Sequence, residues 1–228
     1  MPVYNRVVDM EITSLLFHIA SLQKYEMYMQ MISSSYVDSA RNKMAEDFLK
    51  TDFEWIYFWD TDVVIRDPLF LDKMMETAKN MDAPIVCLPY AKKGNSGEYV
   101  TCKRVGETLV NHKVGELGEP EFVLAASTGA MLIHRSVLEE MEKPFFQINY
   151  LEGGREVPED YYFTFKATKL GYGVALETRV DTFHFGQASW NHIYNPKLKK
   201  NEEKKDAKKS GKKKFKKDEE RKKINFHF

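Results

Sequence analysis

The sequence predicts a single α/β domain followed by a Lys-rich appendage, and three observations carry that prediction. Short apolar runs of strand length alternate with segments whose apolar residues recur at helical spacing. Carboxylates stand just past the end of the most apolar run, where open α/β sheets bind ligands. Beyond Pro196 the composition turns to Lys, Glu and Asp with almost no apolar residues.

The elements follow in order. Val7 to Lys24 carries Val8, Ile12, Leu15, Leu16, Ile19 and Leu22, a helical period. Tyr25 to Ser33 alternates, with Tyr25, Met27, Met29 and Met31 on one face, and predicts a strand. A helix follows Asp38 or Ser39, with Met44, Ala45, Phe48 and Leu49 as its buried stripe. Trp55 to Trp59 is continuously apolar, as a central strand covered on both faces should be. Pro68 opens the next helix, where a missing N–H costs little. Ile85 to Leu88 is the next buried strand.

In the second half, Glu121 to Ala125 and Gly129 to Ile133 predict strands flanking the small residues Ala126-Ser127-Thr128. A short helix covers Ser136 to Met141. A longer one runs from Pro158 to Leu170 and stops at Gly171. Val174 to Leu176 and Val180 to His184 are short extended segments.

Composition narrows the function classes. At 228 residues, 43% hydrophobic and 13% aromatic, the chain suits one globular domain with a sizeable core. Cys87 and Cys102 make no disulfide framework, and neither a leader nor an apolar run of about 18 residues is present. A soluble protein of the cytoplasm is expected, the host cytoplasm if the source is viral. The net charge of zero divides into opposite halves. Residues 197–223 hold 15 Lys+Arg against 6 Asp+Glu, leaving 19 basic and 28 acidic residues elsewhere. An acidic body that binds an anion needs a cation or local Arg and Lys to do so.

Asp60-Thr61-Asp62 is the strongest local signal. In an extended chain residues i and i+2 point the same way, so both carboxylates would face one ligand. Oxygen ligands of this kind suit Mg²⁺ or Mn²⁺. Aspartates also terminate strands and cap turns, so the pair alone leaves both readings open. Glu159 and Asp160 in a first helical turn offset the helix dipole. His184 among aromatics reads as a core residue, and Arg41-Asn42 as a solvated helix face.

Together and in this order these segments resemble family 2 glycosyltransferases, in particular their phage and bacterial subset. The resemblance rests on Pro2-Val3-Tyr4-Asn5-Arg6, Ala40-Arg41-Asn42 with Phe48-Leu49, and Trp55 to Asp62. Ser127-Thr128-Gly129-Ala130-Met131-Leu132-Ile133, Glu159-Asp160-Tyr161-Tyr162-Phe163 and His184-Phe185-Gly186 complete it. It spans residues 2–190. Relatives carry an apolar strand ahead of the Pro-Val-Tyr loop, whereas this sequence starts at that loop.

The resemblance implies a GT-A, Rossmann-like fold over residues 1–196, with a mixed, mostly parallel sheet flanked by helices. It implies a nucleotide-sugar donor, with a UDP-hexose as the first expectation, and Mn²⁺ or Mg²⁺ as cofactor. Asp62 and His184 would ligate the metal, and Asp60 would lie against the ribose or the metal shell. Pro2, Tyr4 and Arg41 would hold the nucleotide, with Glu159 beside them at the donor site. Thr128 and Gly129 would wall the transferred sugar, and Asp160 would be the general base of an inverting transfer.

Three other readings compete. The Lys-rich tail, residues 197–228, suggests a nucleic-acid-binding protein. It would also suit a glycosyltransferase acting on modified DNA. A sugar nucleotidyltransferase shares the sheet plan but calls for a Gly-rich loop that Asn5-Arg6-Val7-Val8-Asp9 does not offer. A nucleotide-sugar-binding protein without turnover is the third.

Overall fold

The computed structural model describes residues 1–3, 8–94, 96–105, 108–150, 153–185 and 189–192. The expected tail lies outside them. β1 (Pro2–Val3) and β2 (Ile32–Ser33) pair in parallel around the intervening α1 (Met10–Ser21). Asp9 caps α1 by accepting the Glu11 amide at 2.7 Å, and the expected stripe of Ile12, Leu15 and Ile19 is buried. The strand expected over Tyr25–Ser33 shrinks to β2. Met27, Met29 and Met31 are 43%, 54% and 45% exposed. Alternation makes a strand only where a neighbouring ladder and a core receive it.

α2 (Val37–Phe48), β3 (Trp55–Trp59) and β4 (Val63–Ile65) come next. α3 (Phe70–Met81) starts two residues after Pro68, because Asp67 first closes a turn onto the Leu69 amide at 2.9 Å. β5 (Ile85–Cys87) leads to a hairpin of β6 (Glu98–Val105) and β7 (Thr108–Lys113) that the sequence pattern did not announce. Then come β8 (Glu121–Val123), β9 (Ala125–Ala126), β10 (Ala130–His134) and α4 (Arg135–Glu140). β11 (Asn149–Tyr150), β12 (Glu156–Val157), α5 (Glu159–Lys169), β13 (Val174–Leu176), β14 (Thr182–Phe185) and β15 (Ser189–His192) complete the order.

The central sheet runs β3-β10-β5-β13-β8. It is mixed, but the expectation of a mostly parallel sheet is corrected. Only β5–β13 pairs in parallel, while β3–β10, β10–β5 and β13–β8 are antiparallel. β10 is fed by strands rather than by a crossover helix, and an antiparallel return needs no crossover.

Side chains alternate cleanly between two apolar layers. Phe58, Ile85, Cys87, Met131, Ile133, Val174 and Leu176 face one cluster with α2, α4 and α5. Trp59, Val86, Ala130, Leu132 and Ala175 face another with α1 and α3. Burial on both faces explains why these strands read as unbroken apolar runs. β3, β5 and β13 point the same way, so their carboxyl ends share one edge with the start of β10. That edge carries the candidate site.

Candidate active site

The Asp60 amide donates to the Gly129 carbonyl at 2.8 Å, extending the β3–β10 ladder by one residue beyond the strand. The Val63 amide then donates to the Asp60 carbonyl at 3.1 Å. Asp60-Thr61-Asp62 is therefore a turn, and the extended geometry expected for it is corrected. The two carboxylates do not converge on one ligand but serve different partners.

Asp60 belongs to a buried charge cluster. Nη2 of Arg41 donates to both Asp60 oxygens, at 3.0 and 2.9 Å, and Nη1 donates to Glu159. Arg41 is 2% exposed, so the solvated helix face expected for it is also corrected. Its place on α2 turns it inward beside Met44 and Ala45. Burial alone would lower its pKa, but Asp60, Asp160 and Glu159 outweigh that and hold the guanidinium charged. Its Nε has no hydrogen-bond partner among the described residues.

Glu159 and Asp160 sit in the first turn of α5, where the positive end of the helix dipole favours them. Burial still dominates, and both carboxyls are pushed above the ordinary carboxylate range. Asp160 accepts the Tyr161 amide at 2.7 Å. A buried carboxyl with a raised pKa at the ligand edge of a sheet is suited to accept a proton.

Asp62 forms the second centre. β4 pairs with β14 so that His184 stands opposite Val63, and the Phe185 amide donates to the Asp62 carbonyl at 2.7 Å. This register brings together two residues 122 positions apart. His184 Nε2 lies 3.6 Å from Asp62 Oδ2, an ion-pair distance too long for a hydrogen bond. Lys93 Nζ contacts the same oxygen at 2.5 Å. Burial opposes the charge on Asp62, yet His184 and Lys93 bring its pKa down to about 2.

The histidine tautomer tests the metal expectation. Nδ1 lies 2.7 Å from the Ala91 carbonyl, which can only accept, so Nδ1 carries the proton. Nε2 is then the ring nitrogen that faces Asp62. A carboxylate oxygen and an imidazole nitrogen facing one another are donors of the kinds a divalent cation takes. No group of three or more His, Cys, Asp and Glu side chains suited to a metal occurs among the described residues. Two protein ligands suffice for Mg²⁺ or Mn²⁺ only where substrate phosphates and water complete the shell.

Thr128 and Gly129 stand between the two centres. A Cβ on Gly129 would come within 2.2 Å of the Tyr90 hydroxyl and 3.0 Å of Asp60 Oδ2, so only glycine fits. Thr128 is fully buried, and its hydroxyl lacks a partner among the described residues. Pro2 lies in β1, while Tyr4 falls outside the described residues. Lys93, Tyr90 and Ser127 escaped the sequence reading. Ser127 and Lys93 sat in stretches read as loop. Tyr90 carried one usable signal, a phenol two residues past the carboxyl end of a buried run.

A cleft of about 500 Å³ lies elsewhere, lined by Trp55, Lys79, His134 and Tyr172 at the amino ends of β3, β5 and β13. It holds none of these carboxylates. Buried Thr101 and His112 and the exposed Glu121 join β6, β7 and β8, at 3.0 and 3.1 Å. Thr101 is fully buried, so no substrate reaches its hydroxyl, and the three brace the hairpin.

No protein-family model matches the sequence, and no curated protein does. Among solved structures, the crystal structure of A197 from STIV is similar, with a TM-score of 0.58 at 19% sequence identity. The match covers 83% of this chain and 89% of that one. It shows a shared single-domain α/β fold. No described helix is long and apolar enough to cross a membrane.

Proposed function

We propose that this protein is a GT-A glycosyltransferase that transfers a hexose from a UDP-sugar to an acceptor hydroxyl with inversion. The observation that carries this reading is the meeting of His184 with Asp62 across the β4–β14 ladder. It joins the two motif residues that the family resemblance casts as metal ligands, and the Ala91 carbonyl at Nδ1 leaves Nε2 as the ring nitrogen facing Asp62.

Asp62 and His184 would hold Mn²⁺ or Mg²⁺. When bound, such an ion offsets the negative charge that builds on a leaving diphosphate. Lys93 adds a positive group at the same carboxylate and moves aside or onto the phosphates. Arg41, with its guanidinium committed to Asp60 and Glu159, acts by holding those carboxylates rather than by gripping phosphate. The ionised Asp160 carboxylate, whose proton affinity is raised by burial, takes the proton of the acceptor hydroxyl as that oxygen attacks and becomes the neutral acid.

A thermal-shift screen of nucleotide-sugars with and without MnCl₂ tests the proposal. Stabilisation by one nucleoside diphosphate sugar only in the presence of metal is expected, and Asp62→Ala should abolish it. An equal response from Asp62→Ala removes the metal assignment. No response of the wild-type protein to any donor removes the transferase reading.

A further inference from the structure

We propose that Lys93 is a placeholder for the divalent cation: its ammonium occupies the Asp62 carboxylate until the cation arrives, then passes to the diphosphate of the donor. The inference rests on the transfer reading above and assigns Lys93 two successive partners in the same site. Lys93 Nζ lies 2.5 Å from Asp62 Oδ2, and His184 Nε2 approaches the same oxygen to 3.6 Å. The ammonium therefore stands on the oxygen that a cation shared with His184 would need. Two cations on one carboxylate oxygen repel each other, so the second must displace the first.

The segment that carries Lys93 lets the ammonium move while its neighbours stay. Ala91 bridges to Tyr99, and the Lys92 amide donates to the Glu98 carbonyl at 2.8 Å. Lys92 Nζ is held by Glu98 and Asn111, at 3.0 and 2.9 Å. Lys93 instead reaches 31 residues back along the chain, and Asp62 is its hydrogen-bond partner among the described residues. The Ala91 carbonyl meanwhile receives Nδ1 of His184 at 2.7 Å. Residues 91–93 thus set both groups that face Asp62, the imidazole through a pinned carbonyl and the ammonium on a flexible four-carbon stem. When the ammonium swings away, the imidazole keeps its place.

Exposure decides which aspartate changes partners. The Arg41 and Asp60 side chains are 3% and 25% exposed, whereas those of Lys93 and Asp62 are 45% and 40% exposed. An exposed ion pair holds its members only weakly, on the order of fivefold or less in an equilibrium. Opening the buried pair would strand a charge. Asp62 can therefore exchange the ammonium for a cation, and Asp60 cannot release its guanidinium. The freed ammonium carries three donors and no acceptor, and diphosphate oxygens are the anion brought to it. The consequence is coupling: the cation binds weakly by itself, and more tightly with a diphosphate that takes up Lys93.

The test uses the full chain and two variants, Lys93→Met and Asp62→Ala. MnCl₂ alone is titrated, with free Mn²⁺ read by electron paramagnetic resonance, and UDP binding at saturating Mn²⁺ is measured by calorimetry. Lys93→Met should bind Mn²⁺ about three- to tenfold more tightly than wild type, and UDP about tenfold more weakly. Asp62→Ala should lose the Mn²⁺ site. A side chain with a merely structural role would weaken both ligands or neither. Equal or weaker Mn²⁺ binding by Lys93→Met overturns the proposal, as does UDP binding that the substitution leaves unchanged or that wild type lacks. No Mn²⁺ binding by either protein overturns it together with the metal assignment. The two opposite shifts without sugar transfer to any acceptor count only against the transfer reading.

Discussion

Arg41→Met removes the one guanidinium that faces Asp60, Glu159 and Asp160 and leaves the aliphatic volume in place. Arg41 is 2% exposed and bonds two of those carboxylates directly. Removing one partner of a buried charge cluster costs roughly 3–5 kcal/mol, because the remaining charges lose their compensation. For a chain of this size each kcal/mol is worth about 2–4 °C, so Tm should fall by roughly 6–20 °C. Circular dichroism melts at pH 7 read this directly. The pH dependence adds a second check. Glu159 and Asp160 have carboxyls raised by burial, so the protonated form favours the fold and that stability is lost as pH rises through the folded pKa. Without Arg41 the upward push grows. The gap between variant and wild type should therefore narrow as pH falls from 7 toward 5. A Tm loss under about 2 °C, or a gap that stays constant with pH, would refute the view that Arg41 is the counter-ion of this cluster.

Two further substitutions probe neighbouring groups. Asp160→Asn should abolish transfer while leaving donor binding nearly intact, and should raise stability at pH 7 by about 0.5–2 kcal/mol. The reason is that burial disfavours the charge it removes. Paired denaturant melts and UDP-release assays read the two effects, and a destabilised Asn variant would count against the raised carboxyl. Gly129→Ala should cost about 1–3 kcal/mol, since its Cβ would meet the Tyr90 hydroxyl at 2.2 Å and the ring carbon behind it at 2.8 Å. Adding Tyr90→Phe should return part of that loss in a double-mutant cycle, and strict additivity would show that the clash lies elsewhere.

What the sequence made legible follows from local physics. The run at Ile85–Cys87 became a central strand with both faces covered, whereas Trp55–Trp59, expected to be central, stands at the edge of the five-stranded sheet with Trp55, Ile56 and Tyr57 only half-buried. The helices at Met10–Ser21 and Val37–Phe48 followed their apolar period. β4 is three residues long and lies in the shadow of two aspartates, so its pattern is too short to read. The hairpin of β6 and β7 buries the polar Thr101 and His112 beside Tyr99 and Cys102, and so gave no clean apolar alternation. Arg41 looked solvated because its inward partners, Glu159 and Asp160, lie nearly 120 residues away. Asp60 and Asp62 looked like one site because the turn between them depends on the Val63 amide, which spacing alone does not reveal.

The separation of those two aspartates changes what each is for. Asp60 is spent on Arg41 and so belongs to the buried charge cluster rather than to the Asp62 centre. Asp62 faces two positive or proton-bearing groups, Lys93 and His184, and its depressed pKa keeps it ionised throughout the neutral range. On the other side, Glu159 and Asp160 are pushed toward protonation by burial, with Arg41 bonded to Glu159 and opposing that push on both. One edge of the sheet therefore holds one carboxylate kept charged and another pushed toward protonation. Two environments that drive like groups in opposite directions are how one fold supports charge neutralisation and proton transfer side by side. Tyr90 packs its ring edge-on against His184 and holds its hydroxyl against Ser127 and the Gly129 amide.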